Sequence, residues 1–204
     1  MRKIVKVLNK VGSYIEKLIT GSSEYKFTTS SFEKAEIIDN SVQAKIAMDE
    51  VTEQLEKDFS IKLISPVIIH LGKPQTAGWK QAVIGENNHV GNYTQKNLKE
   101  HNAHNITIVP GLERKKFKAV LAHEMTHAFQ AENKLLRSHK SLKEGMARWV
   151  EYHFLQSSGL KHEADKLLRY QRYILGRSLT SILEHENQGS RSATLNWLKS
   201  LEKE

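Results

Sequence analysis

The sequence predicts an α+β fold, and three observations carry the prediction. Apolar residues at helical spacing dominate both ends of the chain, strand-like runs rich in β-branched residues sit between them, and the order is helices, small sheet, helices. A chain of 204 residues fits one domain of ordinary size and buries about 70% of the surface its unfolded form exposes. With 39% hydrophobic and 26% charged residues and three prolines it has the composition of a globular, helix-rich protein. No repeat period or low-complexity tract is present.

The first element is a basic amphipathic helix and linker over residues 1–30. Ile4, Leu8, Val11, Ile15 and Leu18 recur at helical spacing, and Arg2, Lys3, Lys6, Lys10 and Lys17 stand against Glu16 alone. Such a helix suits an anionic membrane surface or an acidic partner, and it equally suits packing on its own domain with lysines facing water. Lys6, Asn9 and Lys10 interrupt the apolar run, so neither a cleaved signal nor a transmembrane helix is read. The expected location is cytoplasmic, with peripheral membrane attachment as an alternative.

Residues 31–204 then read as a single domain. A helix is expected from Ser41, its N-cap, to Phe59, with Val42, Ile46, Val51, Leu55 and Phe59 as its buried stripe. IKLISPVIIHL, residues 61–71, reads as strand interrupted at Pro66. Ala82 to Ile84 reads as a short strand, VGNYT (90–94) as an edge strand, and NITIV (105–109) as a strand closed by Pro110 and Gly111. Helices follow at about 114–132, 142–157, 161–186 and 192–202.

Cysteine is absent, which excludes disulfides, thiolate catalysis and cysteine-based zinc fingers. Any metal is therefore held by His, Asp or Glu. LAHEMTHAFQ, residues 121–130, contains HExxH, a pattern expected by chance about 0.05 times in a chain of this composition. On a helix, His123 and His127 lie about 40° apart and reach one ion from one face. Glu124 falls in the apolar stripe of Phe117, Leu121 and Ala128, where an unpartnered carboxylate costs several kcal/mol, on the order of that of any lone buried charge. A neighbouring cation removes that cost.

Two histidines leave a catalytic zinc one protein ligand short. Glu132, His139, Glu144 and Glu151 are the downstream candidates. Glu132 lies on the motif's own helix and would have to bend back along it, and His139 sits in a polar turn. The pattern with a third histidine six residues after the second is absent, since position 133 is Asn and position 130 is Gln. Glu144 opens the next helix after a connection long enough to fold that helix back. Ser141 and Glu144 also spell a capping box, in which the glutamate serves only its helix end. Gly145 costs about 1 kcal/mol inside a helix, which favours a close helix approach at this position and with it Glu144 as the shared ligand.

NITIVPGLERKKFKAVLAHEMTHAFQ followed by LKEGMARWVEYHFL, about a quarter of the chain, resembles a family: the gluzincin peptidase domain at the C-terminal end of plant LIM-domain, ubiquitin-activated growth-regulating peptidases, which has free-standing bacterial relatives. The resemblance implies a zincin-like fold, a small mostly antiparallel sheet on an HExxH helix with a helical C-terminal half. It also implies one Zn2+ per chain held by His123, His127 and Glu144, with Glu124 as catalytic base. Phe129 stands where the family has Trp and Tyr152 where it has His. LIM modules need cysteine, so activation by ubiquitin is not carried over.

In such a site Glu124 takes a proton from the attacking water and returns it to the leaving amine. Tyr152 or His153, or Tyr170 or Tyr173 on the next helix, are the candidates for steadying the oxyanion. Glu151, two turns after Glu144, is placed to accept the spare N–H of His123 or His127, or to pair with Arg148 or Lys143. VGNYT, as a sheet edge, is placed to pair with an extended substrate. The expected function is hydrolysis of a protein or peptide substrate. The alternatives are a regulatory peptidase that cuts one partner and a catalytically inactive basic module at a membrane or nucleic acid; the glutamate between the histidines argues against the module, and nucleic acid is not the expected partner.

Overall fold

The computed structural model describes residues 36–73, 90–97, 102–174 and 178–201. Ala35–Glu204 form one compact unit and Met1–Lys34 another; the expected N-terminal helix and the short strand at 82–84 lie outside the described residues. The fold is α+β with a helical majority and small, mostly antiparallel sheets.

β1 (Ile37–Ile38) leads into α1 (Ser41–Phe59). The cap is Asn40 rather than Ser41: its side chain accepts the amide of Gln43 at 3.0 Å. Nor is the buried stripe the expected one at its start. Val42 and Ile46 are exposed, and Ala44, Ala47, Val51, Leu55 and Phe59 are buried. Alanine is what lets this turn of the helix lie close to the core, so the larger Val42 and Ile46 mark the outer face. Ser60 then ends α1 in the left-handed conformation.

β2 covers Val67–Leu71, not the whole of 61–71. Pro66 has no amide to donate, and the amides of Ile64 and Ser65 donate to the Glu132 carboxylate instead of a ladder, at 3.0 and 2.7 Å. β3 (Gly91–Asn97) and β4 (Asn102–Ile108) complete a three-stranded sheet in the order β2-β4-β3. β4 runs parallel to β2 and antiparallel to β3, with Gly91 opposite Ile108 and Tyr93 opposite Ile106. Gly111, at φ +87°, turns the chain into β5 (Leu112–Glu113), which pairs with β1.

α2 (Arg114–Glu132) is the central element, packed against β3 and β4 on one side and α3 (Lys140–Ser157) on the other. Burial on nearly all sides explains why His123, Glu124, Thr126 and Gln130 are buried with Phe117, Leu121 and Phe129. α3 starts at Lys140 with His139 as its N-cap residue. Ser141 therefore lies inside the helix rather than at its N-cap, which disfavours the capping-box alternative for Glu144.

The helix expected over 161–186 is described as α4 (Lys161–Ile174) and α5 (Ser178–Asn187), with residues 175–177 outside the described residues. α6 (Arg191–Ser200) follows, capped by Ser190 Oγ accepting from the Ala193 amide. Phe59, Trp149 and Phe154 meet in the core, with the Phe59 and Trp149 rings edge to face at 5.1 Å. Gly145 belongs to this packing. A Cβ there would lie 2.8 Å from Ser178 Cβ, so the missing side chain admits α5 rather than the HExxH helix.

Candidate metal centre

HExxH lies on α2, where four-residue spacing stacks the two imidazoles on one face. His123 Nε2 and His127 Nε2 face each other at 3.2 Å. Glu144, on the first turns of α3, brings Oε1 to 3.5 Å from His123 Nε2 and Oε2 to 3.3 Å from His127 Nε2. One donor atom from each of the three lies within 4.8 Å of the others, and the group could hold a metal ion. Ligands placed about 2.0–2.1 Å from a tetrahedral zinc stand about 3.3 Å apart; the two imidazole nitrogens have that separation, and each lies near it from a different oxygen of the Glu144 carboxylate.

The protons on the imidazoles decide what the cluster can accept. His123 Nδ1 lies 3.0 Å from Glu151 Oε2, an acceptor, and so carries the hydrogen. Gln130 Nε2 donates to the Lys143 carbonyl at 2.7 Å, which turns Gln130 Oε1 to His127 Nδ1 at 2.8 Å. That makes His127 Nδ1 a donor as well. In the neutral tautomers both Nε2 lone pairs then converge on one point, beside a carboxylate, and two lone pairs at 3.2 Å repel unless a cation lies between them.

Arg148 joins the acidic members. Its Nε donates to Glu144 Oε1 at 3.0 Å and its Nη1 to Glu151 Oε2 at 2.8 Å. Burial acts to raise the Glu144 pKa, but His127, His123 and Arg148 outweigh it and hold the carboxyl well below the usual carboxylate range. At His123 burial and Arg148 oppose protonation, yet Glu151 and Glu144 outweigh them and raise its pKa. An environment that favours a proton there also favours another cation.

Glu124 is buried, and among the described residues no hydrogen bond or ion pair engages its carboxylate. It lies against the start of β3, where a Cβ built on Gly91 would come 2.9 Å from Glu124 Oε1. The edge strand expected at VGNYT therefore passes directly beside the glutamate of the motif.

The structure does not bring His153 into the cluster. Nine residues after Glu144 on the same helix, it points to the opposite face. Its Nε2 donates to Glu186 at 2.8 Å and its Nδ1 accepts from Arg191 at 3.0 Å, so both nitrogens are used in the core. Tyr152 packs against the core, and its hydroxyl accepts from Gln156 Nε2 at 3.2 Å. Among the described residues neither makes a hydrogen bond, ion pair or ring contact with His123, His127 or Glu144. The side chains of Tyr170 and Tyr173 lie outside the described residues. Glu132 is occupied by Ile64, Ser65 and His104, and Glu151 takes both of its expected partners at once, His123 and Arg148.

Sequence reasoning passed over Gln130, Gly91 and the second role of Arg148. Gln130 stands three residues after His127, a helical spacing that was available as a signal. Gly91 had no such signal, since only the fold places it beside Glu124.

No curated protein and no solved structure matches the chain significantly. A family model described as DA1-like, Protein DA1, matches residues 67–201, about two thirds of the chain, and that family is linked to peptidase-like domains. The matched stretch contains His123, Glu124, His127 and Glu144 and every element from β2 to α6: the chain belongs to the DA1-like family.

Proposed function

We propose that the chain is a zinc-dependent peptidase that hydrolyses peptide bonds in a protein substrate. The observation that carries the reading is the pair of Nε2 lone pairs converging beside Glu144 while both Nδ1 hydrogens are committed to Glu151 and Gln130. His123, His127 and Glu144 would hold the ion, and a set of two imidazoles and one carboxylate without thiolate suits zinc. Bound zinc supplies Lewis acidity, polarising the scissile carbonyl and making a water acidic enough to attack it near neutral pH.

The rest of the chemistry belongs to side chains and backbone. Glu124 accepts the proton of the attacking water and transfers it to the leaving amine. Glu151 and Gln130 keep each imidazole in the tautomer that presents Nε2. The edge of β3 beside Glu124, which pairs with no further strand among the described residues, would offer backbone donors and acceptors to an extended substrate segment. Family membership also favours a regulatory form of this activity, restricted to one partner, and the net charge of +8 favours an acidic one.

Metal analysis and cleavage of fluorescein-labelled casein test the reading together. The purified protein should contain one zinc per chain, lose it in His127→Ala, and cleave casein in a chelator-sensitive way. Glu124→Gln should keep zinc and lose at least ~100-fold in kcat. Undiminished cleavage by Glu124→Gln, or a parent protein that takes up no zinc, overturns the proposal; salt-dependent DNA binding by a zinc-free protein would instead support a basic interaction module.

A further inference from the structure

The carboxylates around the centre are held in different ways. Glu144 and Glu151 share the Arg148 guanidinium, and Glu132 accepts two backbone amides and the His104 ring. Glu124, only 8% exposed, has no hydrogen-bond or ion-pair partner among the described residues. Side-chain torsions of an unpartnered glutamate are set by the surfaces around it. Among the described residues the bare Cα of Gly91 faces that carboxylate.

A Cβ at position 91 would lie 2.9 Å from Glu124 Oε1, 3.2 Å from Glu124 Cγ and 2.7 Å from Val120 Cγ1. Two of these separations are shorter than real Cβ contacts allow, so any L side chain at 91 must displace Glu124, Val120 or the strand. Gly91 is not explained by its own backbone, because its φ is not in the left-handed region and an extended strand position accepts any residue. Glycine weakens a strand interior. Its presence here is explained by the close approach of β3 to α2.

We propose that Gly91 is a positioning residue for Glu124: the absent side chain leaves the pocket between β3 and α2 in which the carboxylate stands. The inference rests on the reading of Glu124 as the proton-transferring base. It adds that the strand expected to bind substrate also sets the base by shape, so the two cannot drift independently. A misplacement of about 1 Å in a catalytic group costs on the order of 100-fold in rate.

The experiment compares zinc-loaded parent, Glu124→Gln, Gly91→Ala, Val120→Ala and the Gly91→Ala/Val120→Ala double variant. The readouts are zinc stoichiometry, thermal unfolding, kcat and KM on labelled casein, and calorimetric affinity for acetohydroxamate, whose hydroxyl proton the base glutamate accepts as the hydroxamate binds. Gly91→Ala should keep one zinc per chain, lose about 10–100-fold in kcat with KM nearly unchanged, and bind acetohydroxamate as weakly as Glu124→Gln. Val120→Ala relieves the clash with the valine but not the one with Glu124, so the double variant should stay as impaired as Gly91→Ala even where its packing is better. Parent-like kcat and hydroxamate affinity in Gly91→Ala overturn the proposal. Recovery of the double variant to the level of Val120→Ala also overturns it, by making Val120 packing the cause. Should casein prove a poor substrate for a zinc-loaded parent, hydroxamate affinity decides between these outcomes. A parent without zinc overturns the reading of the centre itself, and this inference with it.

Discussion

Gln130 and Glu151 each hold one imidazole by its Nδ1 hydrogen, and the hold is what turns two histidines into converging donors. Loss of such an outer partner costs about 10–100-fold in metal affinity. Gln130→Ala and Glu151→Ala should therefore weaken zinc binding by that factor under the proposed reading, measured by competition with a chromogenic chelator, while far-ultraviolet circular dichroism stays unchanged. Of the two, Glu151→Ala also removes the acceptor of Arg148 Nη1 and leaves that cation paired to Glu144 alone. Its larger effect should be on the geometry of Glu144. The HExxH residues were legible from spacing because helical periodicity dictates which side chains share a face. Gly91 was not, because it meets Glu124 across 33 positions of chain.

At the scale of elements, the contact between α3 and α5 sets where Glu144 stands. Gly145 follows Glu144 directly and lies against Ser178 and Ile182. Replacing it with alanine improves helix propensity by about 1 kcal/mol, but overpacking a close helix contact costs about 1–3 kcal/mol, and the Ser178 Cβ it would meet moves only with its backbone. Gly145→Ala should lower the unfolding temperature, and Ser178→Gly added to it should restore most of the loss. An unchanged midpoint in Gly145→Ala would mean that α5 yields freely. Sequence reasoning recognised that Gly145 marks a close approach and assigned it to α2; the glycine specifies closeness, and only the fold specifies the neighbour. The same limit explains α1, where Val42 and Ile46 look like a core face by hydrophobicity, yet small Ala44 and Ala47 are the ones in contact.

Across the whole unit, a polar hub behind the centre joins α3, α5 and α6 to the end of α1. Glu186 accepts from Trp149 Nε1, His153 Nε2 and Arg191 Nε, and the Arg191 guanidinium lies 5.1 Å from the Phe59 ring centre. Removing the acceptor of three donors leaves the buried Trp149 N–H unpaired and weakens the hold on His153 and Arg191, so Glu186→Ala should cost about 2–3 kcal/mol by urea unfolding at pH 7. Burial holds the His153 pKa below its usual value, against the pull of Glu186. The unfolded chain therefore takes up this proton first. His153 contributes its full stability above pH 6.5 and loses it as pH falls through the lower folded value. Burial acts to raise the Glu186 pKa, but Trp149, His153 and Arg191 outweigh it and hold it below 4.5, so its contribution is lost at still lower pH. Stability should thus decline in two stages on acidification, followed by thermal unfolding from pH 8 to 3, and the higher stage should vanish in His153→Ala. Among the described residues no helix is long and apolar enough to cross a membrane.

The sequence by itself determined the fold class, the central helix at Arg114–Glu132 and the cluster candidates His123, His127 and Glu144. Each of these rests on local periodicity or on a spacing within two adjacent helices, and local geometry follows from chain order. Tertiary structure alone decided which partner each side chain meets: His153 turned from the cluster to Glu186, Glu132 held by the amides before β2, Gly145 set against α5, and Gly91 set against Glu124. The physical reason is that such contacts depend on how elements distant in sequence pack, and packing is set by the shapes of both surfaces, of which a linear pattern displays only one at a time.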